Sequence, residues 1–511
     1  MTNPHAALRM LITYAVGIPL AVLVGYLLTN PLDYGTLGFL GLVLVVLLAP
    51  VFIKWHYPIL VFGLNLPMTC FFLVGKPPAW EVVVLISLTI AVVERCLGNE
   101  HRFLRAPAMT WALVFTALMT FITMELTGGM GLHALGGGTG GGKKYIQVYV
   151  GVAMFFALIS RGIPPAQRGL YVGLFLLSGA FAFISDMFPF LPSPLNLINL
   201  LFPPTMNVTG MDTSFLGSRL ISLAATCTCL MMFLVARYGL RGILSLGRPW
   251  RLAAFAGLFA FSLFGGQRAP MVLNLLIFAL LFFLEGLHRT RWLAAVLVLA
   301  LLAAAVVIPF SRHMPYAVQR TLSFLPVDVD PDIRLNAEDS TEWRLRIWQA
   351  VWPKVPDYLL LGKGYYLTAL DYESMGSDNP FAANAKVDAS LEGLAISSDF
   401  HSGPISVLIS FGLWGAISIL ALFAAGLSVV YRNYKYGPPE LATINAFLLA
   451  TVIVRVFSFF FVYGAFSDDV PGLTRVVGFS VALNWGVCRP GARAAVNPLI
   501  KPQTVAAPQA A

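Results

Sequence analysis

The chain has 511 residues, of which 58% are hydrophobic and 11% charged, and its mean hydropathy is +0.79. A soluble domain carries about 25% charged residues, so this composition excludes a soluble enzyme or binding module and reads as an integral membrane protein. The net charge of +9 does not argue for a nucleic-acid partner, because the cations gather at the ends of apolar runs and no basic–aromatic stripe or nucleic-acid motif accompanies them.

Fourteen apolar runs follow in chain order, near 10–29, 36–53, 57–75, 79–97, 108–126, 146–160, 169–188, 219–236, 252–266, 270–287, 292–310, 404–430, 441–463 and 472–488. Each is long enough to be read as a membrane span. The expected fold is therefore an all-α polytopic membrane protein of about 14 transmembrane helices with one large, partly helical extracytoplasmic loop. The first run lacks the flanks of a cleaved signal peptide and is expected to stay as a helix. The runs 252–266 and 270–287 are separated only by Gly265-Gly-Gln-Arg268-Ala-Pro270. The expected division is 1–310 for the N-terminal helices, 311–402 for the large loop, 403–489 for the C-terminal helices and 490–511 for a disordered Ala/Pro-rich tail.

Charge sets the orientation. With the N-terminus in the cytoplasm, the inside ends carry Arg9, Lys54, Arg95, Arg102, Arg105, Arg161, Arg168, Arg237, Arg241, Arg248, Arg251, Arg289, Arg291, Arg432, Lys435 and the cations of the tail. The short outside connections hold only Lys76, Lys143, Lys144, Arg219, Arg268 and Arg475. This is the positive-inside asymmetry, and it puts both termini in the cytoplasm. The 311–402 segment then lies outside, with 13 acids against 8 bases.

Other features carry less chemistry. The five cysteines lie in or beside spans, so no disulfide framework is expected. Gly128 to Gly142 holds nine glycines and ends in Lys143-Lys144; it reads as a flexible outside linker, since a P-loop needs a preceding strand and a G-K-[ST] ending. The Pro-rich apolar stretch 189–218 is expected to lie at the membrane interface, where a lipid tail could meet it. No internal repeat is evident, which disfavours a secondary transporter.

The 311–402 loop concentrates the candidate residues. Asp339-Ser-Thr-Glu342 reads as a helix start, with Pro353 ending the helix after Trp352. On that helix Arg344 and Trp348 are spaced i,i+4 and share a face, whereas Arg346 points elsewhere. An arginine fork beside an indole suits a diphosphate next to a sugar ring, although a surface salt bridge and a packing tryptophan would give the same letters. His401 precedes Ser402-Gly-Pro404 and a long apolar run, so it is expected at a helix N-terminus, whose dipole favours the neutral imidazole. Asp399 could orient that ring. Arg268 is expected at the outer end of a helix pair, where snorkelling to headgroup phosphates is the plain alternative. Arg455 sits mid-span and must face a partner or a polar cavity. Asp328, Asp330 and Asp332 alternate like part of a calcium loop, but the loop's glycine and closing glutamate are missing, so no metal is expected.

Taken together, Arg344-x-x-x-Trp348, then Leu360-Leu-Gly362-Lys-Gly364, then His401-Ser402 ahead of an apolar helix with Gly412-Leu-Trp-Gly415, resemble the O-antigen ligase/polymerase superfamily of lipid-linked glycan transferases. Gly266-Gln-Arg268-Ala resembles that superfamily's upstream Ser-Arg-Gly/Ala element. The likeness covers about 265–430; Gln267 and Ser402 stand where serine and asparagine are usual. It implies a multi-pass enzyme of the bacterial inner membrane that transfers a glycan, with inversion and without metal or cofactor, from a polyprenyl-diphosphate carrier to an acceptor hydroxyl at the periplasmic face. In that reading Arg268, Arg344 and His401 are catalytic, and Trp348, Gly362, Gly364, Arg346 and Arg455 bind substrate. A surface-polysaccharide polymerase would share the chemistry, and a flippase for lipid-linked sugars is the rival of another class.

Overall fold

The computed structural model describes residues 4–27, 29, 34–98, 103–131, 140–187, 192–204, 219–368 and 400–490. The described residues are helical apart from connections, with two isolated β-bridges at Thr69–Pro78 and Gly140–Leu367. In chain order the helices are α1 (Pro4–Leu27), α2 (Tyr34–Gly63), α3 (Ala79–Cys96), α4 (Pro107–Leu126), α5 (Gly142–Ile159), α6 (Arg168–Leu177) and the single turn α7 (Ile198–Leu201). They continue with α8 (Ile221–Ile243), α9 (Pro249–Ser262), α10 (Arg268–Leu284), α11 (Trp292–Phe310), α12 (Tyr316–Leu322), α13 (Pro331–Val351) and α14 (Val355–Tyr358). The last three are α15 (Gly403–Tyr436), α16 (Ala442–Phe461) and α17 (Phe466–Leu483).

The expected fourteen spans are reduced. Eight segments among the described residues are long and apolar enough to cross a membrane: Val46–Gly63, Pro107–Leu126, Gly142–Ile159, Pro165–Asp186, Ile221–Ile243, Trp292–His313, Gly403–Tyr436 and Pro439–Phe461. Gly17–Tyr26, Pro249–Gly265 and Arg268–Leu284 are apolar but shorter. The runs 36–53 and 57–75 prove to be one helix, α2, followed by irregular chain to Pro78. The polar residues between them are not helix breakers, and His56 is absorbed by side chains rather than by a turn. Its Nδ1 lies 2.9 Å from Ser87 Oγ and its Nε2 3.7 Å from Glu94, which also binds Arg161. The runs 79–97 and 472–488 are helical too, but α3 carries Glu81, Glu94 and Arg95, and α17 carries Asp468, Asp469 and Arg475.

The bundle core is built on close approach of α5 and α17. Gly151 faces the Pro471 ring and Gly478 faces Leu158, where a Cβ would come within 2.8 and 2.9 Å respectively. Small residues at such crossings let the backbones meet, which is how helices gain packing in lipid. Phe175 stacks on Phe479 at 4.2 Å beside them.

The large loop is held by two small apolar cores. Val318, Leu322, Val327 and Val329 pack on Leu263, Phe264 and Met271 at the loop-side ends of α9 and α10. Ile347, Val351 and Val355 pack with Phe400, Ile405 and Ile409 at the start of α15. Helix α13 starts eight residues before the expected cap at Asp339. Asp330 is the N-cap and accepts from the Asp332 N–H at 3.0 Å, with Pro331 at the first helical position. Proline pre-sets the helical φ there, and burial of Ile333 and Ala337 carries the helix through Asp339 and Ser340. The tail 491–511, most of the stretch 189–218, the centre of the Gly-rich segment and Asp399 lie outside the described residues.

Candidate active site

Between the two loop cores lies a cavity of about 870 Å³. Its wall includes Arg219, Gln267, Arg268, Arg320, Asp339, Trp343, Arg344, His401 and Tyr463. These come from α8's leading edge, α10, α12, α13, the start of α15 and the end of α16, so only the folded chain assembles them. A largely apolar groove of about 520 Å³ between α6 and α8 holds none of the motif residues.

Arg268 is the first residue of α10. The chain reaches it through Gly266 at φ +62°, a left-handed conformation that glycine takes without strain. The Arg268 guanidinium donates to the Ala337 carbonyl at 2.6 Å and to Thr341 Oγ1 at 3.1 Å, tying α10 to α13. Ala337, Thr341 and Arg344 succeed one another at i, i+4 and i+7, so the same face of α13 carries Arg344 into the cavity. Arg344 is half-buried there. Arg346 is exposed and pairs with Glu342 at 3.1 Å, one turn back on its own helix.

His401 has φ +51°, a conformation uncommon for a residue with a side chain, immediately before α15. Its ring meets Trp343 edge-on at 5.3 Å and Tyr463 edge-on at 5.5 Å. Trp348 does not join the cavity wall. Its indole N–H donates to the Phe400 carbonyl at 2.8 Å, and its ring packs on the Ile347–Phe400 core. The indole beside Arg344 in the site is therefore Trp343.

The remaining sequence candidates sit apart from the cavity. Gly362 at φ +77° lies against the Ser410–Phe411 backbone, where a Cβ would fall 2.3 Å from the Ser410 oxygen. Lys363 and Gly364 donate their N–H groups to Ile409 and Ser410 at 2.7 and 2.9 Å, and Leu413 donates to the Leu359 carbonyl at 2.7 Å. The Gly-x-Gly element thus satisfies the backbone where α15 kinks at Gly412. Arg455 pairs with buried Asp469 at 3.2 Å and packs over Gly472, while Ser458 and Val462 of the same helix reach the cavity.

Electrostatically the cavity is cationic. Burial disfavours the charge on Arg219 and Arg268 first of all; Arg320 disfavours it on both as well, Arg344 disfavours it on Arg268, and Glu338 favours it there. From the sequence Arg219 reads only as an outside cation, and Arg320, Trp343 and Tyr463 are not singled out at all. Trp343 adjoins Arg344 and could have been noticed; the other three belong to no local pattern and are brought in by packing.

Fold and site define a multi-pass, all-α membrane protein whose large loop closes an arginine-lined cavity with a histidine in its wall. Residues 253–420 match the family model described as O-antigen ligase (Wzy_C), so over that stretch the chain is similar to O-antigen ligases. The matched region includes Arg268, Arg344, Gly362, Gly364 and His401; it excludes Arg219 and Arg455. No curated protein matches the chain.

Proposed function

We propose that this protein is an O-antigen ligase-like glycosyltransferase of the bacterial inner membrane. It moves a glycan from a polyprenyl-diphosphate carrier to an acceptor hydroxyl at the periplasmic face, with inversion and with no metal or cofactor. The observation that carries this reading is the convergence of Arg268, Arg344 and His401, far apart in sequence, on one cavity.

The chemistry follows from those groups. The acceptor oxygen attacks the anomeric carbon, and the bond from that carbon to the diphosphate oxygen breaks with its electron pair on the leaving group. Negative charge grows on the diphosphate, and Arg268 and Arg344 stand where preorganised cations lower that barrier. His401 takes the acceptor's proton as attack proceeds. The match to the O-antigen ligase family model supports transfer over the flippase reading.

The test is transfer in vitro from a polyprenyl-diphosphate-linked glycan by the purified full chain, alongside gel profiles of surface polysaccharide in a deletion strain. Product with inverted anomeric configuration and loss of glycan-capped lipopolysaccharide are expected. Loss of chain length with capping intact would instead assign a polymerase, and glycan trapped on the carrier at the cytoplasmic side would assign a flippase.

A further inference from the structure

Among its described lining residues the cavity holds more cation than a diphosphate needs. Four arginines line it, Arg219, Arg268, Arg320 and Arg344, against Asp339 as the carboxylate among its described lining residues. A diphosphate esterified at both ends presents one charge on each phosphorus, which a pair of arginine forks matches. Arg268 and Arg344 are such a pair.

The other two meet across Gly266. Arg320 is buried; its Nη1 donates to the Gly266 carbonyl at 2.6 Å and its Nε to Asn336 Oδ1 at 3.1 Å. Arg219 lies along the open face of the same glycine, where a Cβ would come within 3.0 Å of its Nε. That Nε is buried and has no hydrogen-bond partner among the described residues. Two guanidiniums pressed to one glycine repel each other, and burial removes the water that would screen them. Such a pair is stabilised when an anion joins it, and its bonds to Gly266 and Asn336 fix the Arg320 guanidinium in place beforehand.

We infer that Arg219 and Arg320 form a second anion subsite, beside the diphosphate pair, that takes a phosphate or carboxylate borne on a sugar of the acceptor or of the donor glycan. The inference rests on the transferase reading above and narrows its substrate: one of the two glycans is anionic close to the reacting centre.

The test uses the purified full chain in nanodiscs and two probes, farnesyl diphosphate and glucose 6-phosphate, followed by calorimetry singly and together. Both should bind at once. Arg219→Gln should weaken glucose 6-phosphate at least about tenfold, the scale of a lost charge-assisted hydrogen bond, and farnesyl diphosphate less than about threefold. Arg344→Gln should show the reverse. Because Arg320 also holds Gly266, Arg320→Lys is the second variant; it keeps the charge, loses the fork and should weaken the sugar phosphate alone. Competition between the probes, equal losses in the two variants, or binding of glucose 6-phosphate no tighter than glucose overturns the subsite. A wild-type chain that fails to bind farnesyl diphosphate overturns the transferase reading instead. In transfer assays, an Arg219→Gln defect that vanishes with a dephosphorylated acceptor places the anion on the acceptor. One that vanishes with an uncharged donor glycan places it on the donor, and a defect that persists with both stripped overturns the subsite.

Discussion

Trp348 donates its indole N–H to the carbonyl oxygen of Phe400 at 2.8 Å, one residue ahead of His401. The bond ties the far end of α13 to the turn that holds the histidine in its left-handed conformation. Trp348→Phe keeps the ring in its apolar core but leaves the Phe400 carbonyl without that donor. The expected cost is about 1–3 kcal/mol of local stability. Transfer should fall through kcat rather than KM, since a shift of about 1 Å in a reacting group costs on the order of 10²-fold. Steady-state kinetics on folded variant protein checks this. A raised KM with unchanged kcat would return Trp348 to substrate binding.

Arg344 and Arg346 have the same charge, two residues apart, yet Arg344 enters the cavity and Arg346 pairs with Glu342 on the exposed face. Arg344→Ala should abolish transfer. Arg344→Lys should recover little, because a point charge does not reproduce the planar fork on a diphosphate. Arg346→Ala should be mild, since exposed i,i+4 pairs are worth roughly 0.3–0.5 kcal/mol. Transfer assays at matched folding decide; equal losses would show that only bulk charge matters.

His401→Asn separates backbone from chemistry. Asparagine tolerates the left-handed region better than most residues, so the variant should fold to near wild-type levels despite φ +51°. It removes the proton acceptor, and transfer should drop by about 10²–10⁴-fold. Retained transfer would assign His401 to packing against Trp343 and Tyr463.

Arg455 is expected to act through Asp469. Arg455→Gln leaves that buried carboxylate without its cation, a loss of about 3–5 kcal/mol for a broken buried pair. Folded protein in the membrane should fall. Asp469→Asn added to Arg455→Gln should restore it, because asparagine can still accept from the Ala465 N–H, now 3.0 Å from Asp469 Oδ2. Recovery of both folding and transfer in the double variant marks a structural pair. Recovery of folding with transfer still absent would place Arg455 in the reaction.

Topology follows from the charge asymmetry. Reporter fusions within 311–368 should read periplasmic, and fusions at Arg248 and after Arg432 cytoplasmic. A cytoplasmic signal from the loop would remove the cavity from the compartment where the acceptor is expected.

Composition alone determined that this chain lives in a membrane, because 58% hydrophobic residues in long runs have no soluble solution. Local spacing separated Arg344 from Arg346, since 3.6 residues per turn sends neighbours two apart to different faces. Motif order put Arg268, Arg344 and His401 forward as candidates, and the fold brings the three to one cavity. What the tertiary structure decided is what depends on partners distant in the chain. Lys54 and His56 look like a break between spans until Ser87 and Glu94 are seen to satisfy the histidine. Trp348 looks like a sugar platform until the Phe400 carbonyl, 52 residues on, takes its N–H. Arg219, Arg320 and Tyr463 carry no local signature at all. A polar group's role is set by whichever donor, acceptor or charge the fold brings within reach, and helical periodicity carries no information about that.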